Sequence, residues 1–189
     1  MQLTFSFNLD KAVQAMGFFA QRLGEVEKIK LIKLTYLADR AHFIRTGEPI
    51  TGDRQFAMPY GPVPSGTLDA INGLVSGADE LVFRFLRVKN NTISLRKSPG
   101  VASLSSDEVD TLSKTLKVHG KKRPWALANE THRLPEFFAC YVEGTSSPIP
   151  YECIAKVCGD KRRFRHDRVV IPARVLASMK QTIGAGSDL

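Results

Sequence analysis

Apolar and polar positions follow one another along this chain chiefly with the period of an α-helix. Leu9, Ala12, Val13, Met16, Phe19, Ala20 and Leu23 stand three or four residues apart behind Asn8, whose side chain suits an N-cap, and Gly24 offers a stop. Ile29, Ile32, Tyr36, Leu37, Ala41 and Ile44 continue the spacing over a longer run that ends at Gly47, with Lys30, Lys33, Arg40 and Arg45 at the other positions. Two amphipathic helices packed on each other are the expectation.

After Gly47 the pattern breaks. Glu48 to Asp53 reads as a turn, and Phe56-Ala57-Met58 is long enough only for a short extended piece. Tyr60-Gly61-Pro62-Val63-Pro64 then puts two fixed-φ residues and one permissive residue within five positions, which predicts a constrained turn. Pro64 suits the first turn of a helix carrying Leu68, Ile71 and Leu74. Over residues 81–97 the period changes: Leu81, Phe83 and Phe85 alternate with Val82, Arg84 and Leu86, Asn90-Asn91 tolerates left-handed dihedrals, and Ile93 and Leu95 alternate on the return. This predicts a hairpin with Arg84, Arg96 and Lys97 toward solvent.

Ser105 and Glu108 form a capping-box signature, with Leu104 placed to pack on Val109, ahead of a helix bearing Val109, Leu112 and Leu116 and closed by Gly120. Pro124 opens a short helix that holds Trp125 and ends near Thr131-His132, Pro150 opens another through Ile154 and Val157, and Pro172 opens a last one. The expected fold is mainly α with a small β-hairpin, an α+β arrangement in a compact helical domain.

The residues Lys33-Leu34-x-Tyr36-x-Ala38-Asp39, Gly47-x-Pro49-Ile50-Thr51-Gly52-Asp53 and Ala57-x-x-Tyr60-Gly61-Pro62-Val63-Pro64-Ser65, followed by Leu104-Ser105-x-x-Glu108 and Trp125-x-Leu127-x-x-x-Thr131-His132, occur in an order that resembles the Panacea domain of SocA-like antitoxins and phage-associated proteins. The resemblance runs over roughly residues 8 to 158. It implies an antitoxin of a bacterial or phage toxin-antitoxin system that neutralises a cognate toxin by direct contact. Alternatives are an adaptor delivering a toxin to a protease, or a DNA-binding autoregulator. The family motif points to Lys33, Tyr36, Asp39, Tyr60, Gly61, Pro62, Trp125, Thr131 and His132 as toxin-binding or loop-fixing residues. Tyr60 and Trp125 are expected more often as core residues pinning the loop than as interface anchors.

At 189 residues with 43% hydrophobic composition, the chain suits one well-packed domain with an extension. Composition shifts near Gly159, dividing a domain over 1–159 from a basic extension over 160–189 that includes the last helix and a small, polar tail. Lys161, Arg162, Arg163, Arg165 and Arg168, with Phe164 and His166 between them, form its strongest charge feature. With a formal net charge of +8, this cluster is read first as solvated surface, then as contact for an acidic protein, and last for nucleic acid. The chain starts without a secretion signal and has no run of about 18 apolar residues, so a cytoplasmic location and no membrane association are expected.

Candidate chemistry changes little. Cys140, Cys153 and Cys158 are odd in number and irregular in spacing, so buried free thiols are expected rather than a disulfide framework, and His42, His119, His132 and His166 show no zinc-binding pattern. No nucleophile motif, phosphate-cradling loop or paired-carboxylate signature occurs. Asp39 and His42, three residues apart on one helix, are placed to hydrogen-bond each other. The expectation is a protein with no metal, no cofactor and no catalytic activity.

Overall fold

The long second run becomes the axis around which the other elements pack. In the computed structural model, which describes residues 3–74 and 78–158, α1 spans Leu9–Leu23 and α2 spans Lys28–Thr46. Asn8 caps α1 by accepting from Lys11 N–H at 3.0 Å, and Gly24 N–H closes it on the Ala20 carbonyl. Gly47 ends α2 at φ +86°, a left-handed conformation in which glycine has no Cβ to clash. Every residue of α2 from Leu31 to Asp39 is buried. A helix enclosed on all sides packs against several partners, and α2 touches α1 and each of the later elements α5 (Ser106–His119), α6 (Pro124–Thr131) and α8 (Tyr151–Cys158).

This enclosure revises the amphipathic reading of α2. Lys33, placed by its spacing on the polar side, is 1% exposed, whereas Ala41, placed on the apolar side, faces solvent. The short extended piece is β2 (Gln55–Met58). What reads as a constrained turn is a second strand, β3 (Gly61–Pro64), paired antiparallel to β2 with Met58 opposite Gly61 and Gln55 opposite Pro64. Prolines that lack an N–H are tolerated here because β3 is an edge strand. Pro64 sits just before α3 (Ser65–Ile71), as its N-cap rather than inside its first turn.

A third strand, β6 (Ser147–Ile149), pairs with the other edge of β2 and completes the sheet β3-β2-β6. The second sheet has the order β1-β5-β4, from β1 (Val26–Glu27), β4 (Leu86–Lys89) and β5 (Thr92–Leu95). Its hairpin turns at Asn90, φ +52°, as the sequence suggests. The hairpin is shorter than expected, however. Residues 81–85 belong to α4 (Ala78–Phe85), which packs on α1 with Val82 fully buried, Leu81, Phe83 and Phe85 half-buried against the same apolar cluster, and Arg84 exposed. Arg84, Arg96 and Lys97 are exposed, as expected.

The capping box at Ser105 and Glu108 is formed, with both reciprocal hydrogen bonds present, and Pro124 occupies the first turn of α6. One apolar cluster joins Met16, Phe19, Leu31, Leu34, Ile71, Leu112 and Leu127; another joins Phe43, Ala57, Phe137, Ile149, Tyr151 and Ile154 around α7 (Pro135–Cys140) and α8. The fold is mainly α with small antiparallel sheets. Gly159, the basic cluster Lys161, Arg162, Arg163, Arg165 and Arg168, the helix behind Pro172 and the tail lie outside the described residues.

Candidate functional site

Three motif residues sit on one face of α2, three positions apart, and each fixes a different element. Lys33 donates through Nζ to the Pro62 carbonyl of β3 at 2.8 Å. Tyr36, fully buried, donates through its hydroxyl to Glu136 Oε1 of α7 at 2.9 Å. Asp39 accepts from Thr51 N–H at 2.9 Å and from the Thr51 hydroxyl, holding the loop between α2 and β2. Residues at i, i+3 and i+6 share a helix face, which is why one stripe of α2 reaches all three.

The electrostatics of this stripe follow from its burial. No carboxylate pairs with Lys33 among the described residues, and desolvation lowers its ammonium from 10.5 to about 7. Burial likewise raises the Asp39 carboxyl to about 7, against the opposing hydrogen bonds from Thr51. Glu136 behaves differently: burial opposes its ionisation, yet the hydrogen bonds from Arg40 hold its carboxyl below the ordinary range. Arg40 grips Glu136 by two nitrogens, the second at 3.2 Å, and the same nitrogen meets Cys158 Sγ at 2.8 Å. The expected Asp39–His42 bond is not made. Asp39 turns toward Thr51, while His42 Nδ1 lies 2.6 Å from the Glu48 carbonyl, so each side chain serves a different part of the following loop.

Gly61 is the point of closest approach. At φ +90°, its backbone lies so near α6 that a Cβ would stand 2.8 Å from Thr131 Oγ1, 2.9 Å from His132 Cδ2 and 3.2 Å from Lys33 Nζ. Thr131 is fully buried and returns its hydroxyl to the Ala128 carbonyl at 2.8 Å. The His132 ring stacks on Phe137 at 5.0 Å, and its pKa is lowered by burial and by nearby Lys33. Gly61 and Pro62 of β3 therefore close on buried Lys33 and Thr131 and on the half-buried His132 in one cluster.

Tyr60 and Trp125 point the other way. They are 62% and 56% exposed, and their rings meet edge to face at 5.5 Å and 78°. The expectation of core residues is thus corrected: β3 already seals the interior beneath the turn, so both rings remain outside. Lys121, Arg123 and Arg133, which flank α6 in the chain, are also exposed, whereas Lys122 pairs with Glu130.

Several residues that organise the region carry little signal in sequence. Asp53 caps α3 through Gly66 N–H and Thr67 N–H, both at 2.7 Å, and its own carbonyl accepts from Tyr151 at 2.8 Å. Its place before the Ser65-Gly66-Thr67 helix start is a usable clue, although twelve or more residues separate the partners. Glu136 offers none, because its three partners come from α2 and α8. Among the described residues no group of three or more His, Cys, Asp or Glu side chains is arranged to hold a metal ion, and no helix is long and apolar enough to cross a membrane.

The geometry defines a helical platform with a braced hairpin and an aromatic pair on its surface. Residues 31–136 match the family described as Antitoxin SocA-like, Panacea domain, which covers more than half of the 189 residues, and the chain belongs to that family. That membership supports an antitoxin-like role in general, with a toxin as the general kind of partner. No curated protein and no solved structure matches the chain.

Proposed function

We propose that this protein neutralises a cognate protein toxin by direct, stoichiometric binding through the surface around Tyr60 and Trp125, and that it does so without catalysis. The observation that carries this reading is the exposed aromatic pair mounted on the buried Lys33–Gly61–Thr131 brace. Large aromatic side chains supply most association energy at protein interfaces, and a turn already held in one conformation loses little entropy on binding. Exposed Lys121, Arg123 and Arg133 favour an acidic rim on the toxin.

The test takes a neighbouring open reading frame whose product arrests growth when expressed alone and co-expresses it with wild type, Tyr60→Ala, Trp125→Ala or the double variant. Truncating an anchor of about 2 kcal/mol weakens binding roughly 30-fold, and both single variants are expected to lose growth rescue while melting within about 2 °C of wild type. Full rescue by the double variant would exclude this surface. Shortened toxin half-life, rather than inhibition of persistent toxin, would favour delivery to a protease.

A further inference from the structure

Two thiols stand close together where α7 meets α8. Cys140 ends α7, Cys153 lies in α8 thirteen positions later, and their Sγ atoms are 3.2 Å apart. Both are free. The approach joins two packed elements: α7 contacts α8, and the strand β6 between them is paired to β2. A disulfide bond is about 2.05 Å long, so the sulfurs need to close by only about 1 Å.

We propose that Cys140 and Cys153 are an oxidisable dithiol, a covalent modification site that closes reversibly and ties the end of α7 to α8. Cys140 is partly exposed and Cys153 is buried, so an oxidant reaches Cys140 first. The contact with Cys153 holds the Cys140 thiol below its ordinary range, while the same contact and burial push the Cys153 thiol up. This asymmetry makes Cys140 the attacking sulfur and Cys153 the resolving one.

With hydrogen peroxide as oxidant, the Cys140 thiolate attacks one peroxide oxygen and the O–O bond breaks. The departing hydroxide takes the proton the thiol gave up, forming water and leaving a sulfenic acid on Cys140. Cys153 Sγ then attacks that sulfur, and its proton leaves with the sulfenic hydroxyl as a second water. Two thiols lose two electrons, one peroxide becomes two waters, and one S–S bond forms. Cys158 is held elsewhere, between Arg40 Nη2 at 2.8 Å and Glu136 Oε2 at 3.4 Å, which directs the reaction to the other two.

The experiment treats the reduced full-length chain, freed of reductant, with a small excess of hydrogen peroxide, followed by intact mass and non-reducing peptide mapping. The expected result is a loss of about 2 Da that dithiothreitol reverses, with one cross-linked peptide joining Cys140 to Cys153. Cys158→Ala keeps both signals, and Cys140→Ser loses both. A cross-link to Cys158, a gain of about 32 Da without any cross-link, or an unchanged mass would each overturn the proposal. The wild-type map decides the matter even if a cysteine variant folds poorly.

Discussion

Replacing Lys33 by methionine isolates what it costs to enclose an ammonium group. The side chain is 1% exposed, and one carbonyl, that of Pro62, receives its hydrogen bond. In the unfolded chain the amine holds its proton below 10.5; in the folded chain it does so only below about 7. Because the folded value is depressed, stability from this group is intact above 10.5 and is lost as pH falls to about 7. The gradient approaches about 1.4 kcal/mol per pH unit, for a limiting loss of roughly 5 kcal/mol. Methionine has similar length and no charge, but it forfeits the bond to Pro62, worth about 1 kcal/mol, and leaves that carbonyl short of a donor. Lys33→Met is therefore expected to match wild type near pH 9.5 and to exceed it by roughly 2–3 kcal/mol at pH 7. Urea unfolding followed by circular dichroism across that range, with both proteins in the same buffers, measures the difference while the titration of other lysines cancels. Parallel stability curves for the two proteins would mean that the Lys33 ammonium keeps its hydration in the folded chain and that its enclosure carries no such cost.

Asp39→Asn should act on the acid side with the opposite sign. The Asp39 carboxyl is raised from 3.8 to about 7, so its contribution is full below 3.8 and is lost as pH rises to about 7, and asparagine should flatten that slope in the same unfolding measurement. Gly61→Ala should lower stability by about 2 kcal/mol or more, because a left-handed backbone and a Cβ pressed on Thr131 act together. Gly100→Ala, at φ +71° with open space around it, should cost only the backbone share of about 1 kcal/mol, and equal losses for the two would remove the packing argument. Arg40→Met should cost about 3 kcal/mol by leaving the fully buried Glu136 carboxylate without its cation, and adding Glu136→Met should recover only part of the loss in chemical denaturation, because the buried Tyr36 hydroxyl then loses its acceptor.

Much of the helical framework is legible in the sequence because its signals are local. Asn8 and Lys11, Ser105 and Glu108, and Gly47 at the end of α2 each act within four residues, so cap and periodicity agree before any tertiary contact is considered. The misreadings share a different cause. Leu81 to Phe85 is apolar at every position but Arg84, and so short a run satisfies a helix or a strand equally until a neighbour selects one face; α1 packs on it and selects the helix. Lys33 looks like a solvent-facing cation because nothing nearby in sequence announces the Pro62 carbonyl that receives it, 29 residues away. Tyr60 and Trp125 look like core by composition. Only the pairing of β3 with β2 shows that the interior is already closed beneath them.

The buried polar stripe on α2 makes sense as a device for direction rather than for stability. Apolar packing fixes how much volume a strand fills, but it tolerates small shifts along the surface, whereas a hydrogen bond to a named carbonyl or hydroxyl does not. Lys33 sets the depth of β3, Thr131 and His132 limit its approach through Gly61, and Asp39 fixes the loop that enters β2. Tyr60 lies between those fixed points, one residue before Gly61, so its ring leaves the surface along a line that three separate elements determine. A protein that carried a desolvated ammonium merely to hold a loop would be better served by methionine. The arrangement is intelligible when the position of an exposed ring, and with it a partner's contact, depends on where that loop stands.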